Sequence, residues 1–249
     1  MTTTVITGAS AGLGAEMARQ LAARGDDLAL CARRLDRLEE LRAKIHAEHP
    51  ERRVSVAELD VTDDAAVFDV FRGFQAEFGT IDRVIVNAGI GKGAPIGTGR
   101  FDANKATAMT NFVAALAQAE AAMEIFRAQR YGHLVVMSSM TAFRGMPGAM
   151  ATYAATKAAV AALAEGIRNE VSRGSDLDID VSVIYPGYID SEMNRGARLP
   201  FMVDTATGVR AIIAAIDKRS AHARVPAWPW APVGTALRHL PLPVVRRFT

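Results

Sequence analysis

The sequence predicts a doubly wound α/β fold, a parallel sheet with helices on both faces. Three observations carry that expectation. Short apolar runs, often β-branched, alternate with longer helical stretches along most of the 249 residues. Runs this apolar belong to strands covered on both sides, the pattern of a parallel rather than a half-solvated antiparallel sheet. Half of the residues are hydrophobic and 22% are charged, enough to bury the core of one large domain and far from the composition of a disordered chain.

In chain order, residues 3–7, 27–32, 53–58, 81–87, 133–138 and 179–185 read as the strands. Residues 12–24, 34–48, 63–78, 103–129, 152–172 and 204–218 read as the helices between and after them. The second helix opens on a charged run, Arg34-Leu35-Asp36-Arg37-Leu38-Glu39-Glu40. Crossovers between parallel strands are right-handed, which places helices on both faces. In such sheets ligands bind at the carboxyl ends of the strands. Neither a repeat nor a long linker divides the chain, so residues 1–249 form one domain, with 220–249 set apart as an appendage. Beyond Asp217 no acidic residue occurs, while Arg219, Arg224, Arg238, Arg246 and Arg247 remain, with Trp228, Trp230 and Pro226, Pro229, Pro232, Pro241 and Pro243. Val225-Pro226-Ala227-Trp228-Pro229-Trp230 reads as a last strand running into a turn, and Pro241 and Pro243 argue against one uninterrupted helix beyond it.

Composition excludes several functions. A net charge of +2 is too small for a nucleic-acid partner, which needs a basic patch or stripe. The single cysteine, Cys31, rules out a disulfide framework and a Cys-rich zinc site. His46, His49, His133, His222 and His239 show no metal-ligand spacing, so no metal is expected. The start, Met1-Thr2-Thr3-Thr4, lacks the basic and apolar regions of a signal peptide, and apolar stretches stop short of the ~20 residues that span a bilayer. A cytoplasmic location is the expectation.

Between the first strand and helix runs Thr7-Gly8-Ala9-Ser10-Ala11-Gly12-Leu13-Gly14. Glycine lets the chain turn tightly and the backbone approach a pyrophosphate, whose charge rests on the helix N-terminus. The spacing Gly-x-x-x-Gly-x-Gly differs from the commoner Gly-x-Gly-x-x-Gly and fits a plain strand–helix turn as well. Together with Tyr153-Ala154-Ala155-Thr156-Lys157, it resembles the short-chain dehydrogenase/reductase family in its classical branch, from Thr7 to about Met193. The resemblance implies a single-domain Rossmann-type fold and a nicotinamide dinucleotide, with Gly8, Ser10, Gly12, Leu13 and Gly14 around its pyrophosphate.

The second strand ends in Ala32-Arg33-Arg34. NAD-preferring folds of this kind carry an acid here for the ribose hydroxyls; an arginine instead grips a 2′-phosphate through charge-assisted contacts. Arg33 and Arg34 therefore favour NADP over NAD, although both also suit a solvated helix start. Asp60-Val61 resembles the family's adenine contact, and Asn87-Ala88-Gly89 resembles its Asn-Asn-Ala-Gly motif, with Val86 in place of the first asparagine.

Tyr153 and Lys157 stand four apart on a predicted helix and so share a face. A phenol with an ordinary pKa near 10 needs help to exchange protons near neutrality. An ammonium about 4 Å away supplies roughly 4 kcal/mol at an effective dielectric near 20. The family implies that this lysine also binds the nicotinamide ribose. Ser139 is the candidate to hold the substrate oxygen; Ser138 points to the opposite side of the strand. The run from Ser139 to Tyr153 is one residue longer than is usual in the family. Asn111 matches the family's asparagine that holds a proton-relay water. Pro186, Gly187, Ile189 and Ser191 resemble the segment that packs on the nicotinamide, its carboxamide and the phosphates.

Residues 192–201 fall where the family carries its substrate lid, with Gly196 and Pro200 suiting a mobile segment. Met193, Leu199, Phe201 and Met202 fit either an apolar substrate surface or the core. The tail, with Leu237, Leu240, Leu242, Val244, Val245 and Phe248, could cap the pocket, pack in an oligomer, or rest on an anionic membrane surface. The Ala-rich helix around residues 114–122, with the helix of Tyr153, could build a homodimer or homotetramer. The resulting expectation is an NADP(H)-dependent oxidoreductase interconverting a ketone or aldehyde and an alcohol on a moderately apolar small molecule. The alternative is a catalytically silent nucleotide-binding sensor or scaffold. A nucleotide-sugar epimerase would need a substrate domain for which the chain has no room.

Overall fold

The computed structural model describes residues 2–91, 93–172, 176–192, 199–241 and 244. Among these, seven strands form one sheet: β1 Thr3–Thr7, β2 Asp27–Ala32, β3 Val54–Glu58, β4 Arg83–Val86, β5 Tyr131–Met137, β6 Asp178–Pro186 and β7 His222–Val225. Their order is β3-β2-β1-β4-β5-β6-β7, and every pairing is parallel. Alternate residues face opposite layers, and both layers are apolar. Val5, Val84 and Leu134 point into one core, while Ile6, Ile85 and Val135 point into the other.

The layer around Ile6 is built by α1 Gly12–Ala23, α2 Leu35–Glu48 and α7 Thr205–Asp217, through Met17, Leu21, Leu38, Ile45, Val209 and Ile212. The other is built by α3 Asp64–Phe78, α5 Ala114–Gln129 and α6 Met150–Ser172, through Phe71, Phe74, Phe126 and Val160. The chain leaves β1 toward β2 on one side and returns to β4 on the other, so a crevice opens where those two strands end. Cys31 is buried between the layers, its Sγ 3.8 Å from the Ile6 carbonyl, and burial pushes the thiol up to about 12. Among the described residues no helix is long and apolar enough to cross a membrane.

Three departures from the sequence reading concern the site. The helix read over 103–129 is interrupted: α4 spans Phe101–Ala108, a π-helical turn spans Met109–Val113, and α5 begins at Ala114. Widened turns of this kind release backbone groups from the regular ladder. Helix α6 begins at Met150 rather than at 152. The first half of the tail is part of the fold rather than an appendage. His222–Val225 is the edge strand, and α8 Ala227–His239, kinked at Trp228, follows in place of a turn. Trp230, only 5% exposed, belongs to the core, whereas Trp228 is 79% exposed. Leu242, Pro243, Val245 and Phe248 lie outside the described residues, as do Met193 and Gly196 of the lid.

Candidate active site

The glycine turn is held backbone against backbone. Gly8 and Gly12 take left-handed φ values of +66° and +54°, which glycine adopts at no steric cost. A Cβ on Gly14 would collide with the Gly8 carbonyl and stand 2.8 Å from Asn87 Nδ2; one on Gly8 would stand 2.9 Å from Ala88 Cα. Thr7 Oγ1 accepts from the N–H groups of Asn87 and Ala88 at 3.0 Å, and Asn87 Nδ2 donates to the Thr7 carbonyl at 2.9 Å. Asn87 thus ties the ends of β1 and β4 together, and Val86, 3% exposed, is core.

Gly12 is different. Around the position of its missing Cβ, the one contact within 4 Å is Ser191 Cβ, at 3.7 Å. Among the described residues no side chain caps α1, so its first N–H groups, which have no partner within the helix, remain for an anion. An open cradle and uncapped N–H groups, with Ser191 beside them, fit a dinucleotide pyrophosphate. Leu13 packs on the core of the α1 layer.

At the end of β2, Arg33 and Arg34 are exposed. Arg34 donates to Ser10 Oγ through Nε at 3.3 Å and Nη2 at 3.2 Å. The Asp60 carboxylate accepts from Thr62 N at 3.0 Å and Thr62 Oγ1 at 2.8 Å. These bonds, with help from Arg33, hold its pKa below the ordinary value. Val61 is buried beside it.

The four catalytic candidates come together where β4 and β5 end. The Ser139 hydroxyl lies near enough to the Tyr153 phenol to favour its ionised form. Ser139 Oγ accepts from Thr141 N at 3.2 Å and Thr141 Oγ1 at 3.0 Å, at the start of a 3₁₀ turn, Met140–Phe143. Ser138 Oγ is spent on the Lys157 carbonyl at 2.7 Å, so strand alternation separates the two serines as expected. Lys157 is 6% exposed; its Nζ donates to the Met137 carbonyl at 2.8 Å and lies 5.8 Å from the Tyr153 ring centroid. Burial pushes the ammonium down to about 8.

The expected lowering of the tyrosine by the lysine is not what dominates here. Burial pushes the Tyr153 phenol up, and the nearby Ser139 hydroxyl opposes it. Asn111 lies in the π-helical turn, 1% exposed. Its Oδ1 accepts from Ile90 N at 2.8 Å, and its Nδ2 donates to Ile90 O at 2.9 Å and Thr156 Oγ1 at 3.4 Å. Gly89 threads between: a Cβ there would be 3.2 Å from Asn111 Oδ1 and 3.6 Å from Lys157 Nζ.

Sequence reasoning missed two supports. Buried Asn104 accepts from Ala94 N at 3.2 Å, donates to Ala94 O at 3.0 Å, and accepts from Thr152 Oγ1 at 2.9 Å. It thereby pins the segment after β4 to the turn bearing Tyr153; no motif marks it. The other is α8. The Trp230 indole lies where a Gly187 side chain would be and meets Tyr188 edge-on at 5.1 Å and Phe201 at 6.4 Å. Gly234 abuts Met140, next to Ser139. Arg224 lies 4.8 Å over the Phe143 ring and donates to Ala231 O at 3.3 Å and Thr235 Oγ1 at 3.2 Å. Only the unusual composition of the tail hinted at this. Pro186 ends β6. Ile189 is buried against Gly208 of α7, its side chain part of the core of that layer. Of the lid, Leu199 and Met202 are half-buried, and Phe201 is 62% exposed. Among the described residues no group of three potential metal ligands converges.

Comparison with known proteins supports the fold and the family. The family model described as short chain dehydrogenase matches residues 2–200. An uncharacterized oxidoreductase of Mycobacterium tuberculosis is 52% identical over 245 residues, covering 98% of this chain and 96% of the relative. A short-chain dehydrogenase from Sphingobium yanoikuyae, solved in complex with NADPH, superposes with a TM-score of 0.82 at 28% identity, covering 100% of this chain and 94% of that one. The bulky-bulky ketone specific alcohol dehydrogenase from Comamonas testosteroni gives 0.79 at 27% identity, covering 96% and 93%. With its glycine cradle, its Tyr-x-x-x-Lys helix and a sheet of the same architecture, the chain belongs to the short-chain dehydrogenase family, an oxidoreductase whose fold takes a nicotinamide cofactor.

Proposed function

We propose that this protein is an NADP(H)-dependent reductase that converts a moderately apolar ketone or aldehyde to an alcohol, with Tyr153 as the acid. The observation that carries the reading is the convergence of the Ser139 hydroxyl and the buried Tyr153 phenol, with Lys157 Nζ 5.8 Å from the ring centroid. Gly8, Ser10, Gly12, Leu13 and Gly14 would hold the pyrophosphate. Arg33 and Arg34 would hold the 2′-phosphate, Asp60 and Val61 the adenine, Asn87, Ala88 and Gly89 the adjoining ribose side, and Pro186, Gly187, Ile189 and Ser191 the nicotinamide. When bound, the dinucleotide supplies or accepts the hydride.

The chain's own residues manage the proton. Ser139 Oγ orients the carbonyl oxygen beside the Tyr153 hydroxyl and stabilises charge developing there. As hydride reaches the carbonyl carbon, the Tyr153 O–H bond breaks and its proton passes to that oxygen, leaving a tyrosinate. Burial keeps the phenol protonated at neutral pH, which suits an acid and hence the direction of reduction. Lys157, whose Nζ lies 5.8 Å from the ring centroid, supplies the cation that offsets the tyrosinate charge. Asn111, by holding Ile90 and Thr156, keeps the π-helical turn in place for a relay water to return the proton.

Tyr188, Phe201 and Trp230 supply an aromatic wall beside Gly187, which supports an apolar substrate. The similarity to a ketone-specific dehydrogenase supports it further. A shallow groove between α5 and α6, lined by Leu116, Met123, Leu163 and Ile167, supports a homodimer built on those helices. The test is nicotinamide absorbance with NADPH and NADH against a panel of ketones and aldehydes. Wild-type protein should oxidise NADPH with an apolar carbonyl. Tyr153→Phe should lose about 10²- to 10⁴-fold in turnover yet bind NADPH as before. Unchanged turnover in that variant removes the mechanism, and binding without any turnover in the wild type favours the sensor.

A further inference from the structure

We propose that Glu192 and Arg37 set the discrimination between phosphorylated and unphosphorylated dinucleotides, the Glu192 carboxylate occupying the 2′-phosphate's place between Arg34 and Arg37 until that phosphate displaces it. The inference rests on the NADP reading above. One carboxylate meets both guanidinium groups: Arg37 Nη1 lies 3.0 Å from Oε1, and Arg34 Nη1 lies 3.7 Å from Oε2. The same Arg34 side chain reaches Ser10 Oγ in the glycine turn at 3.2 and 3.3 Å. Glu192 directly follows Ser191, which faces Gly12 across the cradle. A carboxylate from one bank of the cofactor crevice is therefore held by cations on the other.

The chemistry makes that carboxylate a stand-in. Guanidinium groups take carboxylate and phosphate oxygens in the same geometry, but a phosphate monoester carries roughly −1.5 to −2 near neutrality against a single charge. The three side chains are 42–44% exposed, and ion pairs that open to solvent are worth about 0–1 kcal/mol. These two contacts are thus weak enough for a doubly charged group to compete for the same guanidinium groups. An unphosphorylated ribose offers only hydroxyls and leaves the carboxylate where it is. Arg37, one turn into α2, adds a second cation that the Ala32-Arg33-Arg34 pattern does not reveal.

Calorimetric titration with adenosine 2′,5′-bisphosphate and with 5′-AMP tests this without turnover. Wild-type protein should prefer the bisphosphate. Glu192→Gln should tighten the bisphosphate about three- to tenfold and leave 5′-AMP within about twofold. Arg37→Gln should weaken the bisphosphate by a similar factor and again spare 5′-AMP. Glu192→Gln binding the bisphosphate no better than wild type, with an unchanged melting temperature, overturns the inference, as does an Arg37→Gln variant that loses both ligands equally. A wild-type protein that binds the two ligands alike sinks the NADP reading, and the inference with it.

Discussion

The two banks of the crevice are built in different ways. On the bank formed by the glycine turn and the end of β4, backbone packs on backbone: Gly14 faces the Gly8 carbonyl, and Gly8 faces Ala88 Cα. On the bank formed by the ends of β5 and β6, glycines are covered by side chains from far along the chain. Trp230 covers Gly187, and Met140, just past the end of β5, packs against Gly234 of α8. A backbone cradle has one shape and suits a ligand common to a whole family. A wall of side chains can be repacked, because neighbouring rotamers give way where peptide groups do not, and it suits a substrate that differs between members.

That contrast is open to test, starting from its rigid end. Gly14→Ala should lower NADPH affinity about a hundredfold or more and cost about 3 kcal/mol of stability. Calorimetry and thermal melts should both register it, the melting temperature falling by about 10 °C. Normal binding in that variant would mean that the cradle is as adaptable as the other bank.

Lys157 bridges the two banks, lying between Gly89 and the Met137 carbonyl. Because burial draws its pKa down to about 8, the cation is lost from pH 8 upward instead of from above 10. The Tyr153 phenol is pushed the other way and stays protonated over that range. The rate of carbonyl reduction should therefore be level below pH 8 and fall about tenfold per unit above it. A profile of kcat against pH that stays flat to pH 10 would remove the lysine's charge from the mechanism.

The smallest effect is the sharpest comparison. Gly187→Ala and Trp230→Leu should each destabilise, but the double variant should be about 1–2 kcal/mol better than their sum, because the smaller side chain relieves the clash. Gly14→Ala combined with Trp230→Leu should be additive. Denaturant unfolding of the six proteins decides it; equal coupling in both pairs would erase the distinction between the banks.

Legibility in the sequence follows the same division. The glycine turn, Asn87-Ala88-Gly89 and Tyr153-x-x-x-Lys157 are local patterns, and their side chains meet because neighbours in sequence are neighbours on a turn or a helix face. Arg33 and Arg34 were visible at a strand end, yet Arg37 and Glu192 were not, being 155 residues apart and joined by an exposed contact. Asn104 was invisible because an asparagine in a helix signals nothing until its partner backbone is known. The long helix over 103–129 looked continuous since a π-helical turn changes the hydrogen-bond register without changing residue preference.

Sequence alone determined the sheet, its two apolar layers and the crevice at the ends of β1 and β4. Periodicity specifies which faces are buried, and glycines specify where a chain approaches another closely. The tertiary structure alone decided what surrounds the reacting groups. It set Lys157 on the Met137 carbonyl, raised Tyr153 by burial, and brought α8 over the end of β6. Desolvation and long-range packing depend on which distant segments arrive at a point in space, and no local pattern of residues encodes that.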